Sequence, residues 1–137
     1  MRYLVTSILG SALLMVSLAA GAQVTAPAAV APPAYRQLVP GLLARSRFTT
    51  DATGNRRVEL WDLLVGPGLR SGAAMLPGAA VLEVRGGTGR IVIAGKEQDL
   101  RSGTTLTVPE QASFQLVNTR TDLGLSIRAT VIAGARR

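Results

Sequence analysis

The stretch VLEVRGGTGRIVIAGKEQDL, residues 81–100, decides the fold. Leu82 and Val84 alternate with Val81, Glu83 and Arg85, the period of two expected of a strand with one face on a core and the other in water. Gly86-Gly87-Thr88-Gly89 reads as a hairpin turn, and not as a phosphate loop, because a strand rather than a helix follows it. Ile91 and Ile93 then share one face of a strand over 90–94. Ala94-Gly95-Lys96 reverses the chain tightly into a polar strand over 97–100.

The same grammar continues outward in both directions. Leu106 and Val108 alternate with threonines over 104–108 until Pro109 stops the strand, and Phe114 and Leu116 share a face over 113–117, as if the two runs formed a pair opened by Gly103. Leu125, Ile127, Ala129 and Val131 alternate with Ser126, Arg128 and Thr130, a pattern that fixes the register of the last strand. Toward the amino terminus, 58–65 reads as a long strand between the Thr53-Gly54-Asn55 turn and Pro67-Gly68. No helical period lasts three turns. The one helix candidate, 35–44, is broken by Pro40 and Gly41 and reads as a turn-like lead-in. Short strands punctuated in this way predict an all-β sandwich or barrel.

Composition narrows the chemistry. With 137 residues, 47% of them hydrophobic, the chain suffices for one domain with its own core. It contains no histidine, so the commonest metal ligand and the commonest general base near neutral pH are both missing. It contains no cysteine, which excludes disulfides and a lipid anchor on that residue. Ser71, Ser102 and Ser113 therefore have no imidazole to activate them, and the carboxylates show no spacing that demands an acid–base pair, so they read as solvated charges. Glu59 and Asp62 fall on opposite faces of one strand, and Trp61 between them reads as core or rim packing. The net charge of +7 is almost entirely arginine, Lys96 being the sole lysine. The charges are dispersed, so no nucleic-acid partner is expected.

Residues 1–22 read as a cleavable signal: Arg2 gives the positive start, Tyr3 opens the apolar run, and Ala20-Gly21-Ala22 gives the small-x-small site, with cleavage before Gln23. A retained anchor is the alternative, weakened by Ser7, Gly10, Ser11 and Ser17. Residues 23–34 form an alanine- and proline-rich linker, and 35–137 the folded domain, expected to be periplasmic or secreted and to meet a membrane only through the signal.

The turn residues from Gly68 to Asn118 resemble the two motifs of the cupins. Gly68 and Gly87 stand at the ends of the first motif with the right interval, with Pro77-Gly78 where many members turn. Gly103, Pro109 and Asn118 occupy the frame of the second, at the short spacing typical of bacterial members. The resemblance implies a jelly-roll β-barrel. It also implies a metal site at four positions, but here these hold Ala74, Leu76, Ala80 and Phe114, none of which can give a lone pair to a cation. No cofactor is therefore expected, and the dioxygenase and oxidase chemistry of many relatives does not carry over. Gln111 replaces the glycine of the second motif, so the turn there either follows another path or strains a less free residue.

Two states of the interior remain open: a core filled by Phe114 and Leu76, or a dry pocket lined by Ala74, Leu76, Ala80 and Phe114 for an apolar or amphipathic ligand. The expected role is an exported, non-catalytic module that binds such a ligand or a protein partner. Alternatives are a metal-independent isomerase or lyase on a sugar or organic acid, with Arg70, Arg85 or Arg90 contacting an anion, and a homodimeric scaffold.

Overall fold

The structure is a computed structural model that describes residues 34–52 and 54–134. The expected signal, its cleavage site and nearly all of the linker lie outside the described residues. Nine strands are present and, among the described residues, no helix: β1 (Arg36–Val39), β2 (Leu42–Ala52), β3 (Arg56–Val65), β4 (Gly78–Gly86), β5 (Thr88–Ile93), β6 (Lys96–Arg101), β7 (Thr105–Val108), β8 (Phe114–Asn118) and β9 (Leu125–Gly134). They form a six-stranded sheet ordered β1-β2-β3-β9-β4-β7 and a three-stranded sheet ordered β6-β5-β8. Every pairing within them is antiparallel.

The alternation read from the sequence is what closes these sheets over one core. Leu82 and Val84 of β4, Ile91 of β5, Leu106 and Val108 of β7, and Leu125, Ile127, Ala129 and Val131 of β9 all point inward and are buried together. Each large side chain so removed from water contributes roughly 1.5–3 kcal/mol. Ala94 (φ 51°) and Gly95 (φ 78°) both take left-handed conformations, the two-residue turn that joins β5 to β6 without splaying them.

Three local expectations are corrected. Residues 35–44 are no mere lead-in: β1 and β2 form a hairpin, with Val39 opposite Leu42 across Pro40-Gly41. Gly41 (φ 79°) supplies the positive φ that follows a proline in such a turn. Next, Gly86-Gly87 is not a hairpin turn, because β4 pairs with β7 and β9 while β5 pairs with β6 and β8. It is the corner where the chain leaves one sheet for the other, and a Cβ on Gly87 (φ 87°) would lie 2.6 Å from the Gly124 carbonyl oxygen. Likewise the runs beside Pro109 do not pair with each other, since β7 lies in the larger sheet and β8 in the smaller. Local spacing shows that the chain turns, but which edge receives it is decided by burial of both inner faces.

Candidate functional site

The turns at Asn118 and Gln111 hold their positions by different means. Asn118 is buried, and its amide nitrogen lies 3.2, 3.0 and 2.7 Å from the carbonyl oxygens of Val65, Gly66 and Leu123, while its Oδ1 accepts from the Arg120 N–H at 3.0 Å. One side chain thereby ties the ends of β3, β8 and the loop before β9. Gln111 adopts φ 62°, the left-handed region that glycine would enter freely. Of the two expectations for that turn, the strained residue is what occurs.

The four positions of the expected metal site do converge. Ala74 and Phe114 exchange backbone hydrogen bonds of 2.8 and 2.9 Å, and their side chains share the core with Leu76 and Ala80. Their exposures are 2, 1, 5 and 4% for Ala74, Phe114, Leu76 and Ala80. These side chains do not fit a metal ion, since an alkyl or phenyl group offers no donor atom. Phe114 lines a shallow hollow with Ala112, Ser113 and Gln115, to which Ala74, Leu76 and Ala80 do not contribute. Leu76 alone of them lines the open end of the barrel.

That open end is built by β3. Its inward face runs Val65, Leu63, Trp61, Glu59, Arg57, from sealed core to rim: Val65 and Leu63 are fully buried and Trp61 packs against the core only partly exposed. Glu59 accepts hydrogen bonds at both carboxylate oxygens, from Arg57 Nε at 2.7 Å and from Trp61 Nε1 at 2.9 Å. Its burial is thus compensated by a charge and a second donor, the condition for keeping an ionised carboxylate out of water. The indole is fixed in the same stroke. It lines a hollow of about 470 Å³ with Met75, Leu76 and Pro77 as apolar wall and Arg57 and Glu59 as polar wall. It also lines a hollow of about 520 Å³ with Ala44, Arg45, Ser46 and Gln37. The Arg45 guanidinium sits 4.4 Å from the ring centre of Tyr35.

On the opposite face of β3, Asp62 lies in register between Arg45 of β2 and Arg128 of β9. Arg45 Nε donates to it at 3.0 Å, and Arg47 and Arg128 each at 3.4 Å. Arg47 reaches it because the register shifts between Ser46 and Phe48, leaving one extra residue in β2. Burial by itself would raise the Asp62 pKa, but the hydrogen bonds and charges of Arg45 and Arg128 outweigh it and hold the carboxyl below its ordinary value. The expectation that Glu59 and Asp62 are solvated charges is therefore corrected: both are 7% exposed.

The three arginines expected to contact an anion divide. Arg70 and Arg90 line one hollow on the outer face of the three-stranded sheet. Arg85 stands on β4 in the other sheet, 3.4 Å from Glu83. Sequence reasoning missed Arg57, Glu59 and Arg45 as site residues, and it read Trp61 as packing rather than as a ligand surface. For the first two a signal existed, since an arginine, a carboxylate and a tryptophan at i, i+2 and i+4 share one strand face.

Comparison with known proteins gives a fold and no closer relative. No family model matches the chain, and no curated protein does. Among solved structures, a cupin-2 domain protein from Rhodospirillum rubrum superposes with TM-score 0.58 at 18% identity, over 74% of this chain and 66% of that one. A cupin 2 conserved barrel domain protein from Salinispora arenicola gives TM-score 0.56 at 23% identity, over 72% and 81%. The salicylate 1,2-dioxygenase of Pseudoaminobacter salicylatoxidans, with gentisate adducts, gives 0.53 at 18%, over 69% of this chain but 26% of its own. The expected all-β cupin architecture is what the structure has.

Proposed function

We propose that this cupin-fold domain is an exported, non-catalytic binding module that receives a small amphipathic ligand at the open end of its barrel. The observation that carries the reading is Trp61: a rigid aromatic surface, pinned by Glu59, that lines two hollows. The ligand's apolar body lies against the indole, Met75 and Pro77, and its polar end meets Arg57 or Arg45 at the rim. Binding sites of this kind combine apolar walls with a few placed polar groups. Ala74, Ala80 and Phe114 contribute the packed floor beneath it, and Leu76 the contact between floor and ligand. Export, to the periplasm or beyond, rests on residues 1–22.

The rival isomerase or lyase needs a carboxylate poised to take a proton from the substrate. Glu59, the acid nearest the hollows, already spends both oxygens on Arg57 and Trp61, which favours binding over turnover. The test is thermal unfolding of the domain lacking residues 1–22 against a panel of aryl and alkyl carboxylates, sugars and neutral aromatics. A ligand that binds only the folded state raises the melting temperature. The expected result is a rise with an amphipathic member, lost in Trp61→Ala measured against its own ligand-free baseline. Turnover of any panel member, abolished by Glu59→Gln, would establish the enzyme instead.

A further inference from the structure

We infer that the outer face of the three-stranded sheet carries a second site, independent of the barrel mouth, that binds a single carboxylate between Arg70 and Arg90. The placement follows from register. Arg70 forms an isolated antiparallel bridge with Val117, and Val117 lies opposite Arg90 in the β5–β8 ladder. Directly opposed residues point to the same face, so both arginines rise on the outer side of the sheet with Val117 between them. Two strand spacings put their backbones about 10 Å apart, a gap that two guanidinium groups close from opposite sides around one small anion.

The hollow between them has a volume of about 90 Å³, with Val92 and Val117 as its floor and Gln115 and Glu97 at its sides. That is room for a carboxylate head and little more. Its fittings are already oriented. The Gln115 side-chain nitrogen donates to the Ser71 carbonyl at 2.8 Å, fixing the amide, and Ser71 next to Arg70 is itself buried, donating from its N–H to the Leu116 carbonyl at 2.8 Å. Arg70 makes no ion pair among the described residues, whereas Arg90 holds Glu97 only at 3.7 Å across two exposed side chains.

Charge sets the ligand class. Arg70, Arg90 and Glu97 leave the hollow with one net positive charge, which a monoanion neutralises and a phosphate dianion overshoots. Asp99, opposite Arg90 on β6, brings the wider surround to neutrality, which weakens binding of a monoanion and weakens that of a dianion about twice as much. A planar carboxylate also matches the arginine fork, which donates two parallel hydrogen bonds. Glu97 is then a built-in competitor that a ligand must displace from Arg90.

The experiment follows the arginine Nε–H and Trp61 Nε1–H resonances of the domain lacking residues 1–22 during titration with acetate, with an acetylated dipeptide bearing a free carboxyl terminus, and with inorganic phosphate at matched ionic strength. Acetate and the peptide represent a free acid and a chain end respectively, and whichever binds more tightly identifies the source. The expected result is saturable shifts of Arg70 and Arg90 with either carboxylate and weaker binding of phosphate, with Trp61 unmoved. Arg70→Gln and Arg90→Gln should each lower the association constant about tenfold, and Glu97→Gln should raise it several-fold. Arg85→Gln removes the same unit of charge in the other sheet and should change it by less than twofold. Equal loss in Arg85→Gln and Arg70→Gln, tighter binding of phosphate, or no saturable shift would overturn the assignment.

Discussion

The centre of the barrel and its open end share the inner face of one strand, yet they have opposite characters. At the centre, Leu63 and Val65 share one apolar cluster with Ala74 and Phe114, and the buried side chains of Asn118 and Ser71 beside it are satisfied by backbone groups. Two steps along β3, the same face presents Trp61, Glu59 and Arg57 around hollows of about 470 and 520 Å³. The difference lies in how each region deals with polarity. At the centre, Ala74, Leu76, Ala80 and Phe114 need no hydrogen-bond partner. At the open end, a buried acid is kept and supplied with two donors. One strand can thus carry both a sealed floor and a shaped, polar-edged entrance.

The largest expected effect tests the sealed floor. Phe114→Ala should lower unfolding stability by about 4 kcal/mol, the range for deleting a fully buried aromatic ring, with the loss read from urea unfolding. Ligand binding at Trp61 should survive at temperatures where the variant is folded. If stability barely changes, the floor is not packed and the contrast with the open end collapses.

A smaller effect separates the two buried acids on β3. Asp62→Asn should cost about 2 kcal/mol at neutral pH, because three arginines, among them the Arg45 that edges one of the Trp61 hollows, lose a charged acceptor. The pH dependence has a definite sign. The Asp62 carboxyl is lowered in the folded protein, so its contribution is complete above the unfolded carboxylate value and is lost as pH falls through the folded one. The stability gap between wild type and Asp62→Asn should therefore begin to shrink below about pH 4 and close at lower pH. A gap that is constant down to pH 2 would show that the arginines do not depend on the charge.

The smallest effect concerns a retained turn. Gln111→Gly should raise stability by roughly 1 kcal/mol or less, because glycine relieves the left-handed conformation but loses more chain entropy on folding. Destabilisation instead would mean that the Gln111 side chain holds the turn.

What could be read in the sequence divides along similar lines. Gly68, Gly87, Gly103, Pro109 and Asn118 announce the frame because turn chemistry is local, and the period-two runs of β4, β5, β7, β8 and β9 announce their inner faces for the same reason. The β2 strand was illegible. Its extra residue at Arg47 shifts the inward phase from Leu42 and Ala44 to Thr49, so no single alternation spans it. The acids were illegible for another reason: Asp62 is charge-compensated by residues 17 and 66 positions away, which only register brings together. At the site, Ala74, Leu76, Ala80 and Phe114 were singled out by the resemblance to the cupin motifs, but whether they form a pocket or a floor depends on packing between sheets. Arg70 and Arg90 were individually conspicuous, and the fold alone separates them from Arg85.

The most direct test of the central claim uses the fact that Trp61 is the only tryptophan in the chain. Its fluorescence reports on the open end and on nothing else. Titrating the amphipathic compound that most raises the melting temperature should shift and saturate the Trp61 emission at one equivalent, with the same dissociation constant by calorimetry, and Leu63 and Phe114 amide resonances should stay in place. A ligand that binds by calorimetry while the Trp61 emission stays constant would contradict the account.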